Sequence, residues 1–299
     1  MKNRFPFYGW IGLALAIIFW IINWTWIGLR TYWAFFPMWL GYCLTIDALV
    51  YYRTGTSLLT RSPRKYIGLF IVSAPVWWLF EALNLRTQNW IYIGAQNFSP
   101  LSYALWTTLC FTTVIPAVFG GAELMASFDF VKRTRRGLII RKDKVTTISF
   151  FLLGWITLAL MLIWPQIFFP FIWLSPYFIL EPVNIWLGHS SLADWTQDGD
   201  WRPVISLWLG VLITAFFWEM WNFYSYPKWV YQVAWGGWLH IFEMPLLGYG
   251  GYLPFSLELY AIYHLISGFF GQKPGYVRVM PDSTMESKRA MVNEALEVD

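Results

Sequence analysis

From Val145 to Leu180 the chain runs without a single charged residue, and shorter charge-free runs lie on either side of it. Such runs suit hydrocarbon, where one crossing takes about 20 mainly apolar residues. Length and lack of charge mark eight candidate crossings, at residues 7–29, 32–52, 66–84, 101–127, 147–169, 171–192, 204–226 and 241–268. The expected fold is all-α, a polytopic membrane protein of about eight transmembrane helices. Composition agrees: 58% of residues are apolar and 13% charged, about half the charge of a soluble domain.

The basic residues orient the helices. Arg53–Lys65 holds four cations and no acid, and Phe128–Thr146 holds seven against Asp129 and Asp143. Both loops are expected on the cytoplasmic side. With a cytoplasmic amino terminus, eight crossings leave only Arg30, Arg86 and Lys228 on the opposite side, three of the 21 Lys and Arg. Lys2 and Arg4 precede the first run with no small-residue cleavage site after it, which reads as a retained helix and not a signal peptide. Both termini are then cytoplasmic, in a cell (inner) membrane. The tail 271–299 is polar and mixed in charge, and is expected to be a short surface helix or disordered.

The chain also repeats itself. Gly9-Trp10-Ile11-Gly12-Leu13-Ala14-Leu15 recurs as Gly154-Trp155-Ile156-Thr157-Leu158-Ala159-Leu160. Trp39-Leu40 with Asp47 matches Trp173-Leu174 with Glu181 at one constant offset. Phe80-Glu81-Ala82-Leu83-Asn84, then Trp90-Ile91-Tyr92, matches Trp218-Glu219-Met220-Trp221-Asn222, then Trp229-Val230-Tyr231. Pro116 with Gly120-Gly121 matches Pro245 with Gly250-Gly251. The matches keep their order, so the expected organisation is two parallel four-helix repeats, residues 1–146 and 147–270. A pseudo-twofold along the membrane normal would relate them, with a site at their interface.

Asp47, Glu81, Glu181, Glu219 and Glu258 fall at or within the hydrocarbon on this topology, with Glu123 and Glu243 nearer helix ends. A charged carboxylate at that depth costs at least about 2.5 kcal/mol. Of the cationic residue types only His189 and His264 fall near them, so ion pairing cannot serve all five, and desolvation favours the neutral acid, a hydrogen-bond donor and proton source. Glu81 with Asn84, Glu181 with Asn184, and Glu219 with Asn222 are three residues apart and share a helix face. Each Asn is expected to orient its acid or hold a water beside it. The simpler reading of each pair is interhelical glue. Trp77, Trp78, Trp218 and Trp221 flank two of these acids, where ring faces would surround a substrate and stabilise positive charge, although core packing is the simpler reading of any one of them. Trp90, Tyr92, Trp229 and Tyr231 also fit an interfacial aromatic belt.

Other chemistry finds no support. His189, His240 and His264 lack metal-ligand spacing, though a bis-histidine haem across helices stays open. Cys43 and Cys110 lie in apolar runs and give neither a disulfide framework nor a metal site. No nucleotide fingerprint or Ser-His-Asp order occurs. The basic loops read as topology signals and contacts for anionic lipids, not nucleic acid.

The recurring pattern of an aromatic and an acid late in one helix, Trp-x-Tyr in the following loop, and then a Pro-bearing helix resembles the integral-membrane enzymes of carotenoid and terpenoid biosynthesis. It resembles the duplicated lycopene-cyclase domain and, more loosely, the membrane carotenoid hydratases. Where the cyclases carry a proline followed by paired acids, this chain has Phe242-Glu243-Met244-Pro245. The resemblance implies that Phe80-Glu81 and Trp218-Glu219 occupy the aromatic-acid motif, with Trp90, Tyr92, Trp229 and Tyr231 downstream. The expected function is proton-initiated cyclisation or hydration of a lipid-soluble isoprenoid, with no metal or other cofactor. Glu219 or Glu81 is the expected donor, Asn222 or Asn84 orients it, and Glu181 and Asp47 serve as relay or terminal base. Trp77, Trp78, Trp218, Trp221, Trp90, Tyr92, Trp229, Tyr231 and Asn184 would bind substrate. Two other readings remain open: a proton-coupled transporter with a midplane acidic site, and a non-catalytic pigment-binding or assembly subunit.

Overall fold

The computed structural model of the protein describes residues 3–26, 32–134, 137–271 and 275–280. It is mostly helical. In chain order the helices are α1 (Phe7–Thr25), α2 (Phe35–Thr54), α3 (Leu58–Arg61), α4 (Pro63–Thr87), α5 (Pro100–Phe111), α6 (Val114–Ala126), α7 (Asp129–Arg133), α8 (Lys144–Ile163), α9 (Pro165–Phe168), α10 (Ser175–Trp186), α11 (Ala193–Thr196), α12 (Arg202–Phe223) and α13 (Tyr249–Phe269). Four short strands interrupt them: β1 (Trp90–Ile93), β2 (Lys228–Tyr231), β3 (His240–Ile241) and β4 (Met244–Pro245).

Local chemistry sets the boundaries. Ser62 and Ser99 cap the starts of α4 and α5 through their hydroxyls, each with proline next, where a missing N–H costs nothing. Asp143 caps α8 in the same way. Gly55 stops α2 at φ 79°, a left-handed conformation that glycine reaches without strain.

Five stretches among the described residues are long and apolar enough to cross a membrane: α1, α4, Pro100–Ala126 (α5 with α6), α8 and α12. A sixth is the pair Pro165–Trp173 and Ser175–Trp186, bent by 40°. The helices α2 and α13 are 20 and 21 residues long but fall outside this set. They carry the buried acids Asp47 and Glu258.

Two expected helical stretches differ in detail. The run 101–127 is divided at Thr112 and Thr113. The run 241–268 opens with β3, β4 and a single 3-10 turn before α13 begins. The tail lies outside the described residues except for 275–280, where Tyr276, Val277, Val279 and Met280 are buried and the Tyr276 hydroxyl donates to Leu58 O at 2.9 Å.

The helices α1 and α8 lie at the periphery, with 22% of each buried against 83% of Pro100–Ala126. Their outward residues, Ile18 and Ile21 or Leu152 and Ile156, are apolar, as a lipid-facing surface requires. Close packing uses small residues. A Cβ on Gly12 would meet Gly41 O at 2.9 Å, so α1 lies tight on α2. A Cβ on Gly121 would meet Gly210 O at 2.7 Å, which seats α6 against α12.

Candidate functional site

The site is built where α4 and α12 end. After α4 the chain reverses, and Asn84 holds the reversal. Its amide donates to Trp90 O at 2.8 Å, and its oxygen accepts the backbone N–H of Asn89 at 2.8 Å. Asn222 repeats the device after α12, donating to Trp229 O at 2.7 Å and accepting the Trp229 N–H at 3.0 Å. Both asparagines therefore clamp a backbone turn. The expectation that they orient the acid or hold water beside it gives way to this, because a side chain satisfied by backbone at both ends is not turned toward the carboxyl one helical turn back.

The clamp folds the following strand over the helix, so its aromatic residues reach the acid. Glu81 Oε1 accepts from Trp77 Nε1 at 2.9 Å, Trp90 Nε1 at 3.1 Å and the Tyr92 hydroxyl at 2.5 Å. Glu219 Oε1 accepts from the hydroxyls of Tyr231 at 2.7 Å and Tyr252 at 2.6 Å. Trp229 Nε1 donates in turn to the Tyr231 hydroxyl at 3.0 Å. Glu219 is fully buried, and its Oε2 has no partner among the described residues. The cationic side chains that form ion pairs among the described residues pair with other acids.

The two strands meet. β1 pairs with β2 antiparallel, Trp90 opposite Tyr231 and Tyr92 opposite Trp229. Each Trp faces the other strand's Tyr, the self-complementary register of an isologous contact. Ring contacts repeat the pattern: Phe80 stacks on Trp173 at 5.5 Å, while Trp218 lies 5.3 Å from Trp39.

A cavity of about 230 Å³ opens beside this ladder. Its wall includes Trp77, Trp90, Tyr92, Trp218, Trp229 and Tyr231, joined by Tyr103, Trp173, Tyr252 and Phe255. Phe255 is a hub, with ring centroids 5.8 Å from Trp77, 5.4 Å from Trp173 and 6.5 Å from Trp218. Lys228 is the one charged residue among the described lining, and it is ion-paired with Glu243. The carboxyls of Glu81 and Glu219 stand behind this wall, one hydrogen bond from phenols that form it. Burial, and then the adjacent acid, push the Tyr92 and Tyr231 hydroxyls well above the ordinary tyrosine range, so both keep their protons.

Six of the expected substrate-binding residues thus converge on the cavity. Trp78, Trp221 and Asn184 are not among the lining residues. Trp78 donates to Thr108 Oγ1 at 3.0 Å, Trp221 packs 5.0 Å from Trp39, and Asn184 donates to Ala261 O at 2.8 Å. Asp47 and Glu181 lie elsewhere too. Asp47 accepts the Leu59 N–H at 2.9 Å with Ser57 and Tyr8 hydroxyls at 2.7 and 2.8 Å, and Glu181 accepts the Ala193 N–H at 2.9 Å. Each holds the start of a short helix, α3 or α11, twelve residues downstream. From Pro63 to Glu81 the helix α4 rises about 27 Å at 1.5 Å per residue, so these two acids belong to the other end of the bundle.

Tyr252, Trp173 and Phe255 were not expected at the site. Tyr249, Tyr252 and Phe255 recur every third residue across the paired glycines, a local signal for Tyr252 and Phe255 but not for Trp173. No group of three or more His, Cys, Asp or Glu among the described residues is placed to hold a metal ion. No known protein family, curated protein or solved structure matches the chain.

Proposed function

We propose that the chain is an integral-membrane enzyme that binds a lipid-soluble isoprenoid in the aromatic cavity and starts cyclisation or hydration by protonating an alkene or epoxide. The observation that carries this reading is a carboxyl hydrogen-bonded to a cavity-lining phenol, present twice and without a cationic partner among the described residues. A phenol both donates and accepts. In the proposed step the substrate carbon takes the phenolic proton, the phenol oxygen takes the carboxyl proton, and the broken π bond leaves a cation on the neighbouring carbon. Ring faces such as Trp90, Trp173 and Trp218 would stabilise that cation. Proton loss from the cation back through the phenol to the carboxylate left by the first step completes a cyclisation and restores the acid, and capture of water, with its proton returned by the same route, completes a hydration.

The proposal includes eight crossings in two parallel repeats, both termini cytoplasmic, with anionic lipids at the basic loops. What supports the duplication is the recurrence of the Asn clamp, the acid–phenol bond, the capping acid and the reciprocal strand register at matching positions. A proton-coupled transporter with an acid-lined aqueous funnel is less well supported, because neither Glu81 nor Glu219 lines the cavity. The test is turnover of a polyene isoprenoid by purified protein in nanodiscs, with solvent deuterium appearing in the product. Deuterium-free product, or full activity of Glu219→Gln, overturns the reading.

A further inference from the structure

At the opposite end of the bundle lies a second cavity, of about 200 Å³, between α2, α3, α6, α7 and the segment 275–280. Arg53, Arg61, Lys132 and Arg278 line it, and Glu123 is the one acid among the described lining residues. Glu123 is already committed, ion-paired to Arg61 and accepting the Arg278 backbone N–H at 2.6 Å. Among the described lining residues, cations therefore outnumber acids.

The cations are also held in place. Arg53 donates from Nε to Ser127 Oγ at 2.6 Å and from Nη2 to Ser127 O at 3.2 Å, with its guanidinium 3.8 Å over the Phe128 ring. Arg61 donates from Nε to Tyr276 O at 3.0 Å besides its bond to Glu123. Each guanidinium has five N–H donors, and these bonds occupy two of them. Among the described residues Lys132 is bonded to Asp129, whose side chain is 79% exposed, so that partner is screened by solvent.

We propose that this cavity binds a phosphate group, as the headgroup of an anionic lipid or as a free phosphate ion. Gathering Arg53, Arg61 and Lys132 around one already paired acid costs Coulomb energy that an anion relieves. Fixed guanidinium forks with spare N–H groups suit tetrahedral oxyanions better than mobile ammonium groups do. The expected orientation places this end at the cytoplasmic surface, where anionic headgroups are available. The proposal is independent of the chemistry assigned to the aromatic cavity.

The experiment compares wild type with Arg53→Gln/Lys132→Gln, full-length, by calorimetry with inorganic phosphate in detergent and by native mass spectrometry from nanodiscs of phosphatidylglycerol or phosphatidylcholine. Phosphate binding by wild type, weakened at least about tenfold in the variant, identifies a free ion as a sufficient ligand. Retention of phosphatidylglycerol alone, with the same loss in the variant, identifies the lipid headgroup. Neither ligand bound by wild type, or equal binding by the variant, overturns the proposal. If the double variant fails to fold, Lys132→Gln on its surface helix gives the same comparison at smaller amplitude.

Discussion

Glu81 and Glu219 hold matching positions in the chain, yet their surroundings differ in a way that separates structure from chemistry. Around Glu81 every donor comes from nearby sequence: Trp77 one turn earlier, then Trp90 and Tyr92 across the clamped turn. Around Glu219 the Trp229 indole donates to the Tyr231 hydroxyl, and Tyr252 arrives from α13. Glu81 puts three donors on one oxygen. Glu219 takes two phenols and leaves its other oxygen buried without a partner among the described residues. An unmet buried oxygen costs about 1–3 kcal/mol, and a site that tolerates this is a better candidate for proton transfer than one whose accepting oxygen holds three local donors. The motif is shared, but Glu219 is the better candidate for the proposed proton donor.

The comparison can be broken in several ways. Glu219→Gln should lower isoprenoid turnover at least about a hundredfold, the usual scale for general acids, whereas Glu81→Gln should cost about tenfold or less. Equal losses in steady-state rate would erase the distinction. Tyr252→Phe should remove a phenol of the proposed relay and slow turnover about tenfold, with Tyr92→Phe less damaging; a reversed order would make the first acid the donor. Asn84→Ala and Asn222→Ala should each destabilise the fold by about 1–3 kcal/mol, because each frees buried backbone groups. Here the two positions should behave alike, as read from thermal unfolding in detergent. The smallest effect is expected at the other end, where Asp47→Asn and Glu181→Gln should each cost about 0.5–2 kcal/mol, the range of a lost helix cap. Rate per folded molecule should be unchanged, and a selective loss of rate would return these acids to the catalytic chain.

The same contrast marks what could be read from sequence. Periodicity and rarity exposed the acid–amide pairs and the Trp-x-Tyr segments, because a carboxyl in an apolar run is conspicuous and its local partners follow within a few residues. Residues recruited across the chain were hidden. Tyr252 reaches Glu219 only because α13 packs on α12, and Trp173 enters the wall through its stack on Phe80. Asp47 and Glu181 misled for the opposite reason. Their depth in apolar sequence suggested a shared site with Glu81, but the short helices that follow turn back and offer unpaired N–H groups, and the acids cap them. The strands were missed as well, since four residues ending a helical hairpin carry no pattern of their own until the partner segment is present.

The ladder between β1 and β2 makes the two portions of the polypeptide mutually dependent. Among the described residues each strand pairs only with the other, and side chains of both line the aromatic cavity. Because Trp90 meets Tyr231 just as Trp229 meets Tyr92, the join is one that a pair of separate molecules could make. Fragments severed in the basic loop near Arg141 and produced together carry matching adhesive edges, and should reassemble without a covalent tether.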